Sequence, residues 1–270
     1  MARYVPDVTT NRWVIISTVR TKRPDLTKPV PDKICPFCEG NENLTPPETY
    51  RVGGGEANKP GWKIRVFANK YPITDIHEVI VHSTDDKKDI YELEDSHVIE
   101  IFKTYRNRIN VNKEHGNVLV FCNHGISAGA SLTHPHSQLV VVPHQIKFDI
   151  LHRETLNNIL IDNNHFVAYC PEFSQWPYEV WIAPKETNYL FCDIDDEKIN
   201  DLALLTKRIV SGLCKKFKDL NYNYYIHHGR DWYLRIIPRT IHRAGFELGT
   251  GLSVNIADPA LAAKELQQEL

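Results

Sequence analysis

The chain has 270 residues, with 32 Lys and Arg against 34 Asp and Glu, a formal net charge of -2 and 42% hydrophobic residues. A balance this even gives no general attraction to nucleic acid or to an acidic membrane surface, so recognition of phosphate has to come from a few well-placed cations. No apolar run reaches the length of a membrane span, and the polar start Met1-Ala2-Arg3-Tyr4-Val5-Pro6-Asp7 has no apolar signal core, which predicts a cytoplasmic protein.

In chain order, Arg12-Trp13-Val14-Ile15-Ile16-Ser17 reads as a strand that delivers Arg20 and Arg23 onto a loop. Two guanidinium groups so placed can grip a diphosphate bidentately, and a solvated basic loop is the alternative reading. Cys35-Pro36-Phe37-Cys38 follows in a turn. Two thiolates at this spacing suit tetrahedral zinc, with two more ligands supplied from elsewhere. A redox dithiol competes, but a thioredoxin-type pair opens a helix after a strand, whereas this one runs into Asn43-Leu44-Thr45-Pro46-Pro47. Cys122, Cys170, Cys192 and Cys214 stand singly in apolar surroundings, as reduced core residues do.

Residues 63–67 and 77–82 read as strands, with Asn69 in the turn between them. A helix begins near Asp95, the expected N-cap, and a strand follows at 117–121. The stretch 123–131, from Asn123 to Ser131, is rich in small residues, so backbone N–H groups there can approach an anion closely. Thr133-His134-Pro135-His136-Ser137-Gln138 then runs into Leu139-Val140-Val141-Val142. Period-two alternation puts His134, His136 and Gln138 on one face of a buried strand. Taken alone, a His-x-His pair on a strand is most often a surface pair or a metal clip, and catalysis is the rarer case. If His136 faces substrate, His134 is the better placed to join the cysteines.

The second half repeats the order. Strands at 166–170 and 177–182 and an amphipathic helix at 196–217 echo those of the first half. Glu179 lies 101 residues after Glu78, and the same shift carries His134 to Arg235. We therefore expect two halves, 1–145 with the zinc knuckle and histidine strand and 146–270 as a degenerate copy. Arg235 and Arg239 are candidates to face a phosphate. Glu247, between Gly245 and Gly249, is placed either to accept from sugar hydroxyls or to cap a turn, and 259–270 reads as an amphipathic docking helix.

Taken together, the Arg20 and Arg23 segment, Cys35-Pro36-Phe37-Cys38, Phe67-Ala68-Asn69, Asn123-His124-Gly125, Ser131 to Gln138, Trp176-Pro177-Tyr178-Glu179 and Gly245-Phe246-Glu247 resemble the galactose-1-phosphate uridylyltransferase family of the histidine-triad superfamily. The resemblance spans Asn11 to about Leu270. It implies an α+β, duplicated histidine-triad (HIT-like) fold, an antiparallel sheet with flanking helices, and a homodimer whose partner chain helps to bind substrate. It implies His136 as a nucleophile that takes UMP from UDP-glucose and passes it to a hexose 1-phosphate, with Gln138 on the phosphoryl oxygens. Arg20, Arg23 and Ser131 would hold phosphates, Asn69 and Asn123 would face the nucleotide, and Phe246 and Glu247 would complete the substrate site, Glu247 at the hexose hydroxyls. His134 would join Cys35 and Cys38 on a structural zinc ion. Where many relatives carry a histidine as fourth ligand this chain has Asp86, with His82 four residues earlier, so Asp86 is the expected fourth ligand. Arg235 and Ile237 stand where some relatives bind a second metal, so no second site is expected. Lys70, in place of an acidic residue, and Gly245-Phe246-Glu247-Leu248-Gly249-Thr250-Gly251 also resemble the ADP-glucose phosphorylase branch. AMP transfer from ADP-glucose or a dinucleoside polyphosphate is therefore the rival activity, and a non-catalytic, zinc-stabilised nucleotide-binding protein is the rival class. No nucleic-acid or membrane partner is expected.

Overall fold

The computed structural model describes residues 2–7, 12–23, 34–146, 148, 156–227 and 229–270. Strands β1 (Arg3–Asp7) and β2 (Arg12–Ile16) form an antiparallel ribbon of their own. It is tied to the rest by Ser17 Oγ donating to the Pro72 carbonyl at 2.7 Å and by Ala2 N–H donating to Asp75 at 2.8 Å. All the other strands among the described residues join one sheet. The first half supplies β3 (Glu48–Gly53), β4 (Trp62–Ala68), β5 (Ile76–Val81), β6 (Asn117–His124) and β7 (His136–Val142). The second supplies β8 (Ile159–Asp162), β9 (Phe166–Tyr169), β10 (Val180–Pro184), β11 (Tyr222–Ile226) and β12 (Leu234–Pro238). Their spatial order is β3-β4-β5-β7-β6-β11-β12-β10-β9-β8, antiparallel throughout. Each half thus has the same internal order, and the halves meet where β6 pairs with β11.

The residue types explain which strands lie inside. Every residue of β7 and of β10 is buried, as expected for β-branched strands covered on both faces. The edge strands β3, Glu-Thr-Tyr-Arg-Val-Gly, and β8, Ile-Leu-Ile-Asp, are polar or very short, and periodicity did not reveal them.

Helices α1 (Asp95–Asn112), α2 (Asp196–Lys216) and α4 (Pro259–Gln267) lie over one face. In α2, Ile199, Leu202, Leu205, Ile209 and Leu213 recur at helical spacing and are all buried. Asp195 caps α2 by accepting from the Lys198 N–H at 2.8 Å, and Asp258 caps α4 through the N–H groups of Ala260 and Leu261, with Pro259 opening the first turn. Asp95 is not the cap of α1. Glu94 occupies that position without a side-chain bond, and Asp95 takes the Lys207 ammonium at 2.6 Å instead.

One large core runs under the helices through both halves of the sheet. The opposite face carries two smaller clusters. Phe37, Trp62, Phe67, Val79 and Val81 cover the first-half side, and Val167, Tyr169, Trp181, Ala183 and Tyr233 the second. Between them lies a polar strip on β7, β6 and β11.

The offset of 101 does not superimpose the halves. Glu78 points to the helix face, where Arg108 of α1 clamps it with bonds of 2.9 and 2.7 Å. Glu179 shares the other face with Trp181 and takes Arg235 from β12 at 2.6 and 2.8 Å. An odd shift along a strand exchanges faces, so two glutamates on opposite faces cannot be equivalent. The same ion pair corrects the expectation for Arg235, whose charge is neutralised inside the protein rather than offered to a phosphate. Arg239 lies with its guanidinium 4.3 Å from the centre of the Trp176 ring.

Candidate active site

The turn that holds the cysteines is closed by the Cys38 N–H donating to the Cys35 carbonyl, and Asn41 Nδ2 donates to the same carbonyl at 2.9 Å. His134, fully buried, brings Nδ1 to 3.6 Å from Cys35 Sγ and 3.7 Å from Cys38 Sγ. A tetrahedral ion with bonds of about 2.3 Å to sulfur and about 2.1 Å to nitrogen separates those ligands by about 3.6 Å. The three side chains therefore fit a metal ion. The tautomer agrees: His134 Nε2 donates to the Ser83 carbonyl at 2.8 Å, leaving the Nδ1 lone pair toward the sulfurs. Burial raises the Cys38 thiol, and the neighbouring Cys35 adds to the rise, to about 12. A cation between the two sulfurs would draw both thiol protons off. Asp86 is exposed and outside this cluster, although its charge acts on Cys38. His82 is buried on the far side of the sheet, with Nε2 at 2.8 Å from Ser137 Oγ and 3.0 Å from the Tyr105 hydroxyl.

His136 opens β7, and Gln138 shares its face, opposite Val81 and Val79 of β5. His134 precedes the strand, and its carbonyl accepts from His136 Nδ1 at 2.8 Å. A carbonyl can only accept, so the proton sits on Nδ1 and the Nε2 lone pair is left for an electrophile. Phe37 packs edge-on against both imidazoles, with ring centres 5.2 Å from His136 and 6.2 Å from His134. Burial, opposed by the hydrogen bond to the His134 carbonyl and reinforced by the Arg23 charge, pulls His136 down to about 4, so the ring is neutral and its Nε2 lone pair is free at physiological pH. Ser137 points the other way, into a buried hydroxyl cluster with Tyr105 and Tyr224.

Around these two side chains lie several of the expected partners. Asn69 Nδ2 is 3.4 Å from Gln138 Oε1, and Asn123 sits on β6 with Asn223 of β11 donating to it at 2.8 Å. Arg20 Nη1 donates to the Tyr71 carbonyl and Arg23 Nη2 to the Gly129 carbonyl, at 2.8 and 2.9 Å, which holds Arg23 on the small-residue loop. Their charges reach the site, since both depress the neighbouring His77. Ser131 is half-buried in the loop that leads to His134. Phe246 and Glu247 are elsewhere. They lie in the short helix α3 (Gly245–Thr250), where Glu247 accepts the Ala244 N–H at 3.0 Å, and no bond among the described residues joins them to His136 or Gln138.

Sequence reasoning missed His77. It was read as the first residue of a strand, but its ring is buried against Gln138, with Nε2 at 3.0 Å from Oε1. Burial holds His77 down near 4. An unfolded histidine takes its proton near 6.5, whereas the native ring refuses it until about 4, so the fold loses stability as pH falls through that interval. The loss from this ring is about 3 kcal/mol. His82, driven down by burial, acts in the same direction. Urea titrations between neutral pH and the lower limit should show the midpoint falling steadily; a flat midpoint would disprove it.

Residues 15–146 match the family described as "Domain of unknown function (DUF4931) N-terminal domain". The ADP-glucose phosphorylase of Arabidopsis thaliana is 30% identical, over 97% of this chain and 91% of its own length. The chain belongs to the galactose-1-phosphate uridylyltransferase-like family. Within that family, the galactose-1-phosphate uridylyltransferase of Thermotoga maritima is 24% identical over 98% of this chain and 97% of its own. The crystal structure of the Arabidopsis thaliana ADP-glucose phosphorylase with bound ADP-glucose superposes with a TM-score of 0.78 at 30% identity, covering 99% of each chain. Membership of this uridylyltransferase-like family makes the chain a member of an enzyme family of nucleotidyl-transferring type. No helix among the described residues is long and apolar enough to cross a membrane.

Proposed function

We propose that the protein transfers a nucleoside monophosphate from a nucleoside diphosphate sugar, by way of a covalent nucleotidyl-His136. The observation that carries this reading is the bond from His136 Nδ1 to the His134 carbonyl, which leaves Nε2 as the attacking atom beside Gln138. In the first half-reaction Nε2 bonds to the α-phosphorus and the bond from that phosphorus to the bridging oxygen breaks, releasing sugar 1-phosphate with the bridging electrons. The substituted ring becomes cationic and keeps its Nδ1 proton, whose bond to the carbonyl strengthens as the charge appears. In the second half-reaction an acceptor phosphate oxygen displaces Nε2. Phosphate is already a weakly basic leaving group, so the demand falls on charge stabilisation by Gln138, Arg20, Arg23 and the loop at Ser131, with Asn69 and Asn123 on the nucleotide side.

The donor we favour is ADP-glucose, with inorganic phosphate as acceptor and ADP as product. Support comes from the 30% identity to the Arabidopsis thaliana phosphorylase and from Lys70. Uridylyl transfer from UDP-glucose to a hexose 1-phosphate is the second reading, supported by the relative from Thermotoga maritima. Intact-protein mass spectrometry after mixing with each sugar nucleotide separates them, kept neutral to alkaline because phosphoramidates are acid-labile. An AMP-sized adduct is the expected result, a UMP-sized adduct selects the second reading, and no adduct from either overturns covalent transfer.

The metal in this proposal is a structural zinc ion on Cys35, Cys38 and His134, with Asp86 or a water completing the tetrahedron. It takes no part in bond-making; it anchors His134, whose carbonyl orients the nucleophile. One zinc per chain is expected in purified protein. Cys38→Ser should lose it and slow transfer about tenfold or more, the scale seen when an orienting partner is removed. Metal-free protein with full activity would refute this role.

The assembly we propose is a homodimer. Phe246 is 55%, Leu248 77% and Ile256 73% exposed, an apolar run beside Glu247. In that assembly we assign Phe246 and Glu247 to the substrate site of the second copy.

A further inference from the structure

Gln138 can serve a phosphoryl oxygen only with its NH2 group, so something has to fix which way its amide points. We propose that His77 is the positioning residue that does so, an inference resting on the reading of His136 as the nucleotide carrier. The chain of bonds begins at a backbone amide whose polarity cannot reverse. The Ile73 N–H donates to His77 Nδ1 at 2.9 Å, which forces the ring proton onto Nε2. Nε2 then donates to Gln138 Oε1 at 3.0 Å.

Asn69 confirms the direction. Its Oδ1 accepts the Tyr71 N–H at 2.8 Å, so its Nδ2 is the donor end, 3.4 Å from the same Gln138 oxygen. Nδ2 also lies 3.2 Å from His77 Nε2, but both atoms carry protons, so its donation goes to Gln138. With both donors on Oε1, the Gln138 NH2 is left over, and no acceptor among the described residues takes it.

The loop and the ring hold each other in place. The His77 carbonyl accepts the Asn69 N–H at 2.7 Å, so the turn 69–77 is closed by backbone and by side chain together. Burial keeps the ring neutral down to about 4, and Arg20, Arg23 and His136, the charged or titratable groups that act on it, push the same way. A protonated ring would give up the Ile73 bond and free the amide to turn. At neutral pH His77 is instead a one-way donor, and the Gln138 NH2 is oriented before substrate arrives.

The test compares His77→Leu, which removes the donor, with His77→Gln, whose amide offers an acceptor to Ile73 and a donor to Gln138. Adduct formation on His136 is followed with ADP-glucose and UDP-glucose, in wild-type and in Gln138→Ala backgrounds. H77L should slow labelling about ten- to a hundredfold with the KM changed less than about threefold, the pattern of lost orientation rather than lost binding. In Q138A the same substitution should cost less than about twofold, because the group it orients is gone. H77Q should recover most of the rate. Equal losses in both backgrounds, or no rescue by H77Q, would overturn the proposal. If wild-type protein is labelled and H77L matches it, the role of His77 alone falls; if wild type takes no nucleotide, the reading of His136 falls with it. A readout independent of turnover is the imidazole 15N spectrum, where His77 should carry its proton on Nε2, and a proton on Nδ1 would refute the orientation.

Discussion

His136→Ala is expected to abolish the covalent adduct and to lower nucleotidyl transfer by about 10⁴- to 10⁶-fold, the scale reached when a nucleophile is removed from a group that acts as a unit. Sugar nucleotide binding should persist, because the groups assigned to the phosphates and the nucleoside are untouched. The substitution also deletes a buried ring that packs against Phe37 and, among the described residues, hydrogen-bonds only the His134 carbonyl. Its cost to the fold is therefore a modest cavity, about 2 kcal/mol. Zinc content, melting temperature and equilibrium binding of ADP-glucose should be measured beside the rate. A variant that folds, binds and still transfers nucleotide at a rate near that of wild type would eliminate His136 as the carrier.

Glu179→Ala should be the most damaging single change to stability on the site-bearing face, although the residue touches no substrate. Its carboxylate is buried and accepts five donors: Arg235 Nε and Nη2, Trp181 Nε1, and the N–H groups of Gln175 and Trp176. Removal leaves the Arg235 guanidinium buried with the Tyr225 hydroxyl as a partner at 3.0 Å. The arginine cannot escape by losing its proton: burial lowers its proton affinity, but the intrinsic affinity of a guanidinium is too high for the proton to leave at neutral pH. Breaking such a pair from one side costs about 3–5 kcal/mol. The double change Glu179→Leu with Arg235→Met should recover much of that, because both charges leave together. Urea unfolding decides; a loss under about 1 kcal/mol for the single variant would show that the pair is not sealed from water.

Much of the candidate site is legible in the sequence. The cysteine spacing, the histidines on either side of Pro135 and the glutamine two residues on are local patterns, and local patterns survive translation into structure. What was not readable depended on contacts between distant segments. His77 and Gln138 are 61 residues apart, and nothing in the stretch around His77 distinguishes a strand-opening histidine from one aimed at an amide. Asp95 looked like a cap and became an ion-pair partner because Lys207 of another helix reached it. The 101-residue offset failed for a different reason: two glutamates before apolar strands look alike in one dimension, and only side-chain direction shows that they face opposite ways. Phe246 and Glu247 carry a recognisable motif, but a motif fixes a local turn and not its distant contacts, and no bond among the described residues joins them to His136 or Gln138.

The seam between β6 and β11 bears on how the molecule comes apart. Five residue pairs join the halves there, from Tyr222 opposite His124 to Ile226 opposite Val120. Neither half can melt without exposing the other's inner border strand to water, so thermal and denaturant transitions should be single and should coincide by every probe. A fragment ending near residue 145 would carry β6 as a raw edge, buried in the intact sheet and flanked by apolar side chains, and would be prone to pairing with its own copies. The second set of strands therefore stabilises the part that carries His134 and His136 by occupying its most adhesive border, which gives the part lacking that His-Pro-His strand a reason to be kept.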